Sequence, residues 1–449
     1  MAVFTVDDDF LADDVAKRQY TTIQAAVDAA ATPTGNKSGD TVIVRPGYYA
    51  EAVVVNKRIT LTGAFAPSIP FIGTDPNPDD PSLDPTRASI IDAPAGADVE
   101  IHANYVILQG FTLGNADASV DSIGVNLDTN IGNKILSNVI VDNAYGIDLA
   151  SSTATNNNSA AAATLVIGNK IRNNNEVGAA SGNAIYSDQG LRNAKIVGNV
   201  INGHTNASII LVGGPDVATS QSKVTIAGNV IGNAVTDEQD AAMIFANLTQ
   251  STISGNVMRN IYNGGQAADG GSSGIFFAGG SSDVKVLGNN LANGAFTGIN
   301  VRFDDVSFNV LTPNSRITIQ GNFVQNWGDG GIRLRDGTFN SIVRANTVLD
   351  NGFGTTPAEI GDGFGSGISL EAAINNIVEA NVVKFNDTDG IFADIDSDNN
   401  KIRNNFSLGN GEHDYHDDST GLGTAGTANF YKNNKGRTQN RVGLIRFFV

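Results

Sequence analysis

The sequence predicts an all-β fold: a single-stranded right-handed parallel β-helix, a solenoid of roughly ten to twelve coils with an N-terminal helical cap. Three observations carry this. A glycine–asparagine step recurs at Gly168-Asn169, Gly198-Asn199, Gly228-Asn229, Gly255-Asn256, Gly288-Asn289 and Gly321-Asn322, with degenerate copies at Ala345-Asn346, Ala380-Asn381 and Asn404-Asn405. The asparagines are spaced 30, 30, 27, 33, 33, 24, 35 and 24 residues apart, a period that means a stacked repeat. Each step is flanked by short alternating apolar runs, and a further run opens with a small residue followed by isoleucine.

The three runs read as three strands per coil. Before the asparagine stand segments such as Ala194-Lys-Ile-Val197 and Arg316-Ile-Thr-Ile319, whose alternation with β-branched residues marks a strand with one buried face. After it comes an apolar pair such as Val200-Ile201 or Val230-Ile231. The third strand opens at Gly146-Ile147, Gly274-Ile275, Gly298-Ile299, Gly331-Ile332, Gly367-Ile368 and Gly390-Ile391. Asn and Gly suit the corners because both tolerate left-handed backbone. Stacked Asn side chains can also bond up and down a corner. Ile226, Ile275, Ile299, Ile332 and Ile391 are expected in one apolar stack.

Composition fits. The 449 residues include 51 Gly, only 12 Pro and 16% charged side chains, low for a helical protein. Length forces no split, because a solenoid grows along one axis. Cysteine is absent, which removes disulfides and thiolate metal sites. The net charge of −18 argues against nucleic acid and anionic membrane surfaces. No apolar run approaches the length of a membrane span, so no membrane insertion is expected. The start, Met1-Ala-Val-Phe-Thr-Val-Asp7, lacks the basic and apolar regions of a Sec signal. The expected location is extracellular, or a cell or spore surface reached by another route.

Residues 1–65 read as an N-terminal cap and first coil. Thr22 can cap a helix through Ala30, with Ile23, Ala26, Val27 and Ala30 on one face, which would cover the open end of the solenoid. Strands are expected at Thr41–Val44, 52–55 and 59–62, with Arg45-Pro46-Gly47 as the turn between the first two. Residues 66–87 hold six of the twelve prolines and several Asp, and read as a surface insertion. Residues 88–410 are the regular coils. Residues 411–449 break the period and read as a C-terminal cap or tail.

A family resemblance rests on these residues. Tyr20-Thr-Thr-Ile-Gln-Ala-Ala-Val-Asp-Ala-Ala30 followed by Asp40-Thr-Val-Ile-Val-Arg-Pro-Gly-Tyr48 resembles the start of many pectin-lyase-like right-handed β-helix proteins. The tail, Asp417 to Asn429 and Asn433-Asn-Lys-Gly436, is similar to the terminal segment of uncharacterised bacterial β-helix repeat proteins. The resemblance covers nearly the whole chain and implies the fold. Its superfamily includes polysaccharide lyases, pectin esterases, hydrolases, alginate epimerases, phage tailspikes and non-catalytic surface proteins, so the fold does not choose a function. The Asp-Pro-His motif of mannuronan epimerases is absent, and no stretch matches a lyase motif.

One constellation follows from register. If each isoleucine of the third strand points inward, the residue three later points outward. Arg302, Arg335, Glu371 and Asp394 then form one exposed outward column on consecutive coils, about 5 Å apart. The neighbouring outward column holds Phe276, Asn300, Arg333, Ser369 and Phe392. Such a face suits an acidic glycan, because Arg meets carboxylates in bidentate fashion. It reads equally as a charge ladder, with Arg335 opposite Glu371. Asp394, Asp396 and Asp398 form an acidic corner with oxygen ligands for Ca2+, the one cofactor suggested. Glu412, His413, Asp414, His416, Asp417 and Asp418 form the densest His and acid cluster, read as a transition-metal site or a polar cap loop. The apolar end at Leu444, Ile445, Phe447, Phe448 and Val449 suggests docking on the chain's own cap or on a neighbour.

With no catalytic motif, the first functional expectation is a non-catalytic structural or self-assembling solenoid of a bacterial surface, layer or fibre, with a homo-oligomer or array as its form. The alternative is a polysaccharide-acting enzyme on acidic glycans, lyase-like if an enzyme at all, or a tailspike-like glycan-binding protein. Polysaccharide is the expected partner in that case.

Overall fold

The computed structural model describes residues 1–33, 39–64, 83–114, 122–151, 157–216, 219–232, 241–262, 273–303, 308–353 and 363–447, the last two by backbone alone. Residues 66–82 of the expected insertion, and Phe448 and Val449, lie outside this set. The fold is an all-β parallel solenoid with sheets of 16, 15 and 13 strands, and Ile23–Ala29 is its α-helix among the described residues. Thirteen strands in the smallest main sheet exceed the expected number of coils. Two compact units divide the chain: residues 1–210 with 216–220 and 224–230, and residues 231–449 with 211–215 and 221–223.

In the first unit, the Thr22 hydroxyl accepts from Ala25 N at 3.3 Å, and the Glu51 carboxylate accepts from Ile23 N and Gln24 N at 2.7 and 2.9 Å. Both satisfy amides that a helix start leaves open. Ile23, Ala26, Val27 and Ala30 are buried. Thr41–Val44 forms as expected, while Gly47–Tyr49 is a strand rather than part of a turn, pairing in parallel with Ser89–Ile91. Its alternation is too short to see: Tyr49 points inward and is buried, and Tyr48 points out.

Each coil repeats one plan. A strand such as Ala194–Val197 lies in the first sheet, Val200–Asn202 follows in the second, and Ala207–Leu211 lies in the third. Between the first two, the Gly-Asn corner builds a ladder. The Asn138 amide N and Nδ2 both donate to Asn169 Oδ1, Asn169 does the same to Asn199, and Asn199 to Asn229, at 2.9–3.2 Å. Each Nδ2 also donates to a carbonyl, as Asn199 does to Val166 O at 2.9 Å. Every polar atom of a fully buried amide is thereby used, which removes its burial cost.

The second unit repeats the ladder from Asn289 through Asn322, Asn346, Asn381 and Asn405 to Asn434. Gly288 and Gly321 precede ladder asparagines with φ of +58° and +66°, and nothing lies within 4 Å of the position a Cβ would take. Backbone conformation, not space, therefore selects glycine. Ala345, Ala380 and Asn404 hold the same conformation at +53°, +57° and +57°, which is why the degenerate copies keep the register. Ile275, Ile299, Ile332 and Ile391 are fully buried here, as Ile226 is in the first unit.

Beyond residue 410 the pairing continues instead of breaking. Tyr415–Asp417 pairs with Ile391–Ala393, Phe430–Lys432 with Lys401–Arg403, and Arg446–Phe447 with Lys435–Gly436. Leu444 and Ile445 are buried within their own chain, and both backbone amides donate to Gln439 Oε1. Of the two settings expected for this end, these two side chains are seen in the chain's own cap. Phe447 enters the account only as backbone.

Candidate functional site

The third sheet of the second unit carries the charged residues that register placed together. Strands Ser273–Gly279, Thr297–Val301, Gly330–Arg335, Ile368–Glu371, Ile391–Ala393 and Tyr415–Asp417 are neighbours in that order. Phe276 pairs with Asn300, Asn300 with Arg333, Arg333 with Ser369, Ser369 with Phe392, and Phe392 with His416. Arg335 pairs with Glu371, and the next positions along the same register are Arg302 and Asp394.

The two columns are in line, but neither is exposed as expected. Arg302 and Arg335 keep 25% and 21% of their side chains accessible, Glu371 keeps 12%, and Asp394 is half-buried. In the inner column Arg333, Phe276 and Phe392 are buried. Alternation says which residues leave the core but not what lies over them. Here Phe364 lies 4.3 Å over the Arg333 guanidinium, Phe308 packs on Phe276 with ring centroids 6.2 Å apart, and the His416 ring meets Phe392 edge-on at 5.2 Å. Phe276 and Phe392 therefore offer no open stacking platform, and Arg333 is an internal staple.

Arg333 holds the site together. Its Nε and Nη2 donate to Glu371 Oε1 and Oε2 at 2.8 and 2.7 Å, and its Nη1 donates to Asp329 Oδ2. Thr297 Oγ1 donates to Asp329 Oδ2 at 2.9 Å, and Ser369 Oγ to Glu371 Oε1 at 2.6 Å. Arg335 Nε lies 3.0 Å from Glu371 Oε2 but without hydrogen-bond alignment, so this contact is ionic only. Arg302 Nε is 3.7 Å from Asp336. Sequence reasoning missed Asp329, Thr297 and Phe364. The available signal was an acid just ahead of the Gly-Gly-Ile step, at Asp329-Gly-Gly-Ile332.

These contacts push the carboxyl groups apart. Burial alone would raise Glu371, but Arg333 and then Arg335 outweigh it and hold it below its ordinary value, as a carboxylate. Burial raises Asp329 despite Arg333, and its Oδ1 has no partner among the described residues. Burial likewise raises Asp394, against the bonds it accepts from Ser397, Ala372 N and Asp396 N. Next to Arg333 in the inner column, Asn300 is fully buried with both amide atoms unpartnered among the described residues.

Asp394, Asp396 and Asp398 do not gather as a calcium corner. Asp394 turns both oxygens onto Ala372 N at 3.0 and 2.9 Å, and Asp396 and Asp398 stay exposed. The second acidic cluster divides by role. Asp414 accepts from Arg437 N and Asn410 Nδ2, and buried Asp417 accepts from Ser419, Asn429 and Tyr431, so both serve the backbone and cap. Glu412, His413 and His416 meet Asp389, a coil earlier, with one donor atom of each within 4.8 Å of the others.

Comparisons bear on the fold. Residues 273–442 match the family model described as a right handed beta helix region. The DFA-IIIase from Arthrobacter chlorophenolicus A6, solved in complex with GF2, is similar at 15% identity and a TM-score of 0.53, over 89% of this chain and 93% of that one. The A-module of the Azotobacter vinelandii mannuronan C-5 epimerase AlgE6 is similar at 14% identity and a TM-score of 0.42, over 99% of each chain. The catalytic unit of a GH87 α-1,3-glucanase from Streptomyces thermodiastaticus strain HF3-3 is similar at 12% identity and a TM-score of 0.47, over 93% of this chain and 65% of that one. Curated proteins give no match. The first of these likenesses speaks for architecture and leaves the chemistry to the residues. The chain is a right-handed parallel β-helix protein, consistent with the pectin-lyase-like fold.

Proposed function

We propose that this protein acts on a glycan at the outward face of the third sheet in its second unit. This is the enzymatic alternative of the sequence reading, preferred to the assembly reading on the chemistry of that face. The carrying observation is the in-register pair of a largely buried Glu371 and a half-buried Asp394, two carboxyl groups with opposite perturbation. Environments that separate two carboxyl groups in this way supply an acid and a fixed charge from one residue type. Neighbouring strands set the backbones of such a pair about 5 Å apart, so both carboxyl groups can be reached by one sugar unit.

Asp394, more readily protonated, donates to the leaving glycosidic oxygen. Glu371, held ionised by Arg333 and Arg335, is the fixed charge that stabilises the cation developing on the sugar ring. Water then adds at the anomeric carbon, giving its proton to the Asp394 carboxylate and restoring the acid. Arg302 and Arg335, the half-open cations of the column, suit a substrate bearing carboxylates.

The test is a panel of neutral and uronate polysaccharides, with reducing ends and unsaturated products measured separately. Saturated new ends are expected. Asp394→Asn, shown folded by circular dichroism, should lower kcat by about 10²–10⁴-fold with little change in KM. Absence of binding and turnover across the panel, or full activity in Asp394→Asn, would overturn the reading.

A further inference from the structure

We infer that Asp389, Glu412, His413 and His416 form a binding site for a borderline transition-metal ion of the Zn2+ kind. The inference is independent of the glycan reading. Two observations beyond clustering point to a cation. His413 Nδ1 is shielded from solvent, lies 3.4 Å from Asp389 Oδ1 and makes no hydrogen bond. A buried ring nitrogen left over beside a carboxylate is what a metal would use.

The second observation is the setting of His416. Its Nδ1 is 3.0 Å from Asp389 Oδ2, while Nε2 is 3.0 Å from Asp418 Oδ1. One ring nitrogen thus faces the cluster, and the other is fixed by an outlying carboxylate. That is the arrangement by which proteins orient metal-bound imidazoles and raise their basicity. The edge-on Phe392 ring fixes the plane of His416 further. Asp389 is itself anchored, since its Oδ1 accepts from His413 N at 3.1 Å. Only Glu412 is exposed, so it can swing in as the fourth donor.

The donor set selects the ion. Ca2+ and Mg2+ prefer oxygen alone. Two imidazoles with two carboxylates suit Zn2+, which takes four such ligands at about 2.0–2.2 Å without a preferred d-electron geometry. Donor atoms within 4.8 Å of one another need only small side-chain rotations to reach that shell. Coil stacking is what assembles it. Asp389 precedes the strand that His416 extends by one coil, so the run from Glu412 to His416 announces three of the donors and not the fourth.

The full chain, free of any affinity tag and stripped with chelator, is titrated with ZnCl2 and with CaCl2 by calorimetry. One equivalent of Zn2+ at micromolar affinity or tighter is expected, with no comparable Ca2+ binding. His413→Ala, with folding checked by circular dichroism, should weaken Zn2+ at least about tenfold, and Asp418→Asn about 10–100-fold. Glu412→Gln, on an exposed side chain, is the second variant should His413→Ala not fold, and it should also weaken binding. Failure of Zn2+ to saturate, tighter Ca2+ than Zn2+, or unchanged affinity in the folded ligand variant would overturn the site and leave an ion-pair network.

Discussion

Two stacks of polar side chains run through this molecule, one at a corner and one on the outer face of the third sheet. The corner stack is made of like residues. From Asn138 to Asn229, and again from Asn289 to Asn434, each amide answers the next, and no side-chain atom of its inner rungs is left over. The outer-face stack is made of unlike residues. Arg333 joins Asp329 and Glu371, yet Asn300 and Asp329 Oδ1 are left unpartnered among the described residues. In the first unit the same sheet sets Glu100, Asn126, Asp148 and Tyr186 in register, and Asp148 Oδ1 is unpartnered too. Repetition satisfies hydrogen bonds internally, whereas variety leaves donors and acceptors facing outward, where chemistry can use them.

The largest expected effect tests the outer face. Arg333→Ala leaves Asp329 and Glu371 buried without their cation and should destabilise the fold by about 3–5 kcal/mol in denaturant unfolding. A loss under about 1 kcal/mol would show that the column is a loose surface ladder.

Asp148 comes next. Burial, and then the charge of Asp188, raise its carboxyl to about 6. The folded chain therefore binds a proton more readily than the unfolded one, and stability rises as pH falls from about 6 toward the ordinary carboxylate value. At pH 7–8 the ionised group is a cost, so Asp148→Asn should stabilise by up to about 3 kcal/mol there and by little at pH 4. Equal effects at both values would place the group in solvent.

His204 tests a second amide stack, in which Asn143 N and Nδ2 donate to Asn174 Oδ1. It takes the place of an asparagine above Asn174, whose Nδ2 lies 3.1 Å from Nε2, while Nδ1 is unpartnered. Burial lowers its imidazole to about 3, so the unfolded chain gains the proton first and stability falls as pH drops below about 6.5. His204→Asn should remove an acid-dependent loss of about 2–3 kcal/mol between pH 7 and 4.5. An unchanged pH profile would exclude His204 as its source.

The smallest effect concerns the corner backbone. Ala345 and Ala380 sit at positive φ where other coils use glycine. Replacing either with Gly should stabilise by roughly 0.5–1 kcal/mol, the left-handed penalty less the added chain entropy. Destabilisation would mean that the alanine methyl packs more than the open corners suggest.

Period and alternation made the fold legible: they located the coils, the helix capped by Thr22, the inward isoleucines and the columns holding Arg302, Arg335, Glu371 and Asp394. They could not show that Phe364 closes over Arg333, because the covering segment does not share the repeat. The charged residues were therefore found, and their exposure was not. Leu444 and Ile445 were visible as an apolar end, but only Gln439 shows where that end docks.

What the sequence determined by itself is whatever repeats, since a coil period and a two-residue alternation are one-dimensional facts. Tertiary structure alone decided which residues a full coil apart share a site. Asp389 stands beside His413 and His416, and Arg333 beside Glu371, because parallel stacking sets residues a coil apart within about 5 Å. The contacts that set their charge states depend on that spacing and on burial, which no contiguous motif encodes.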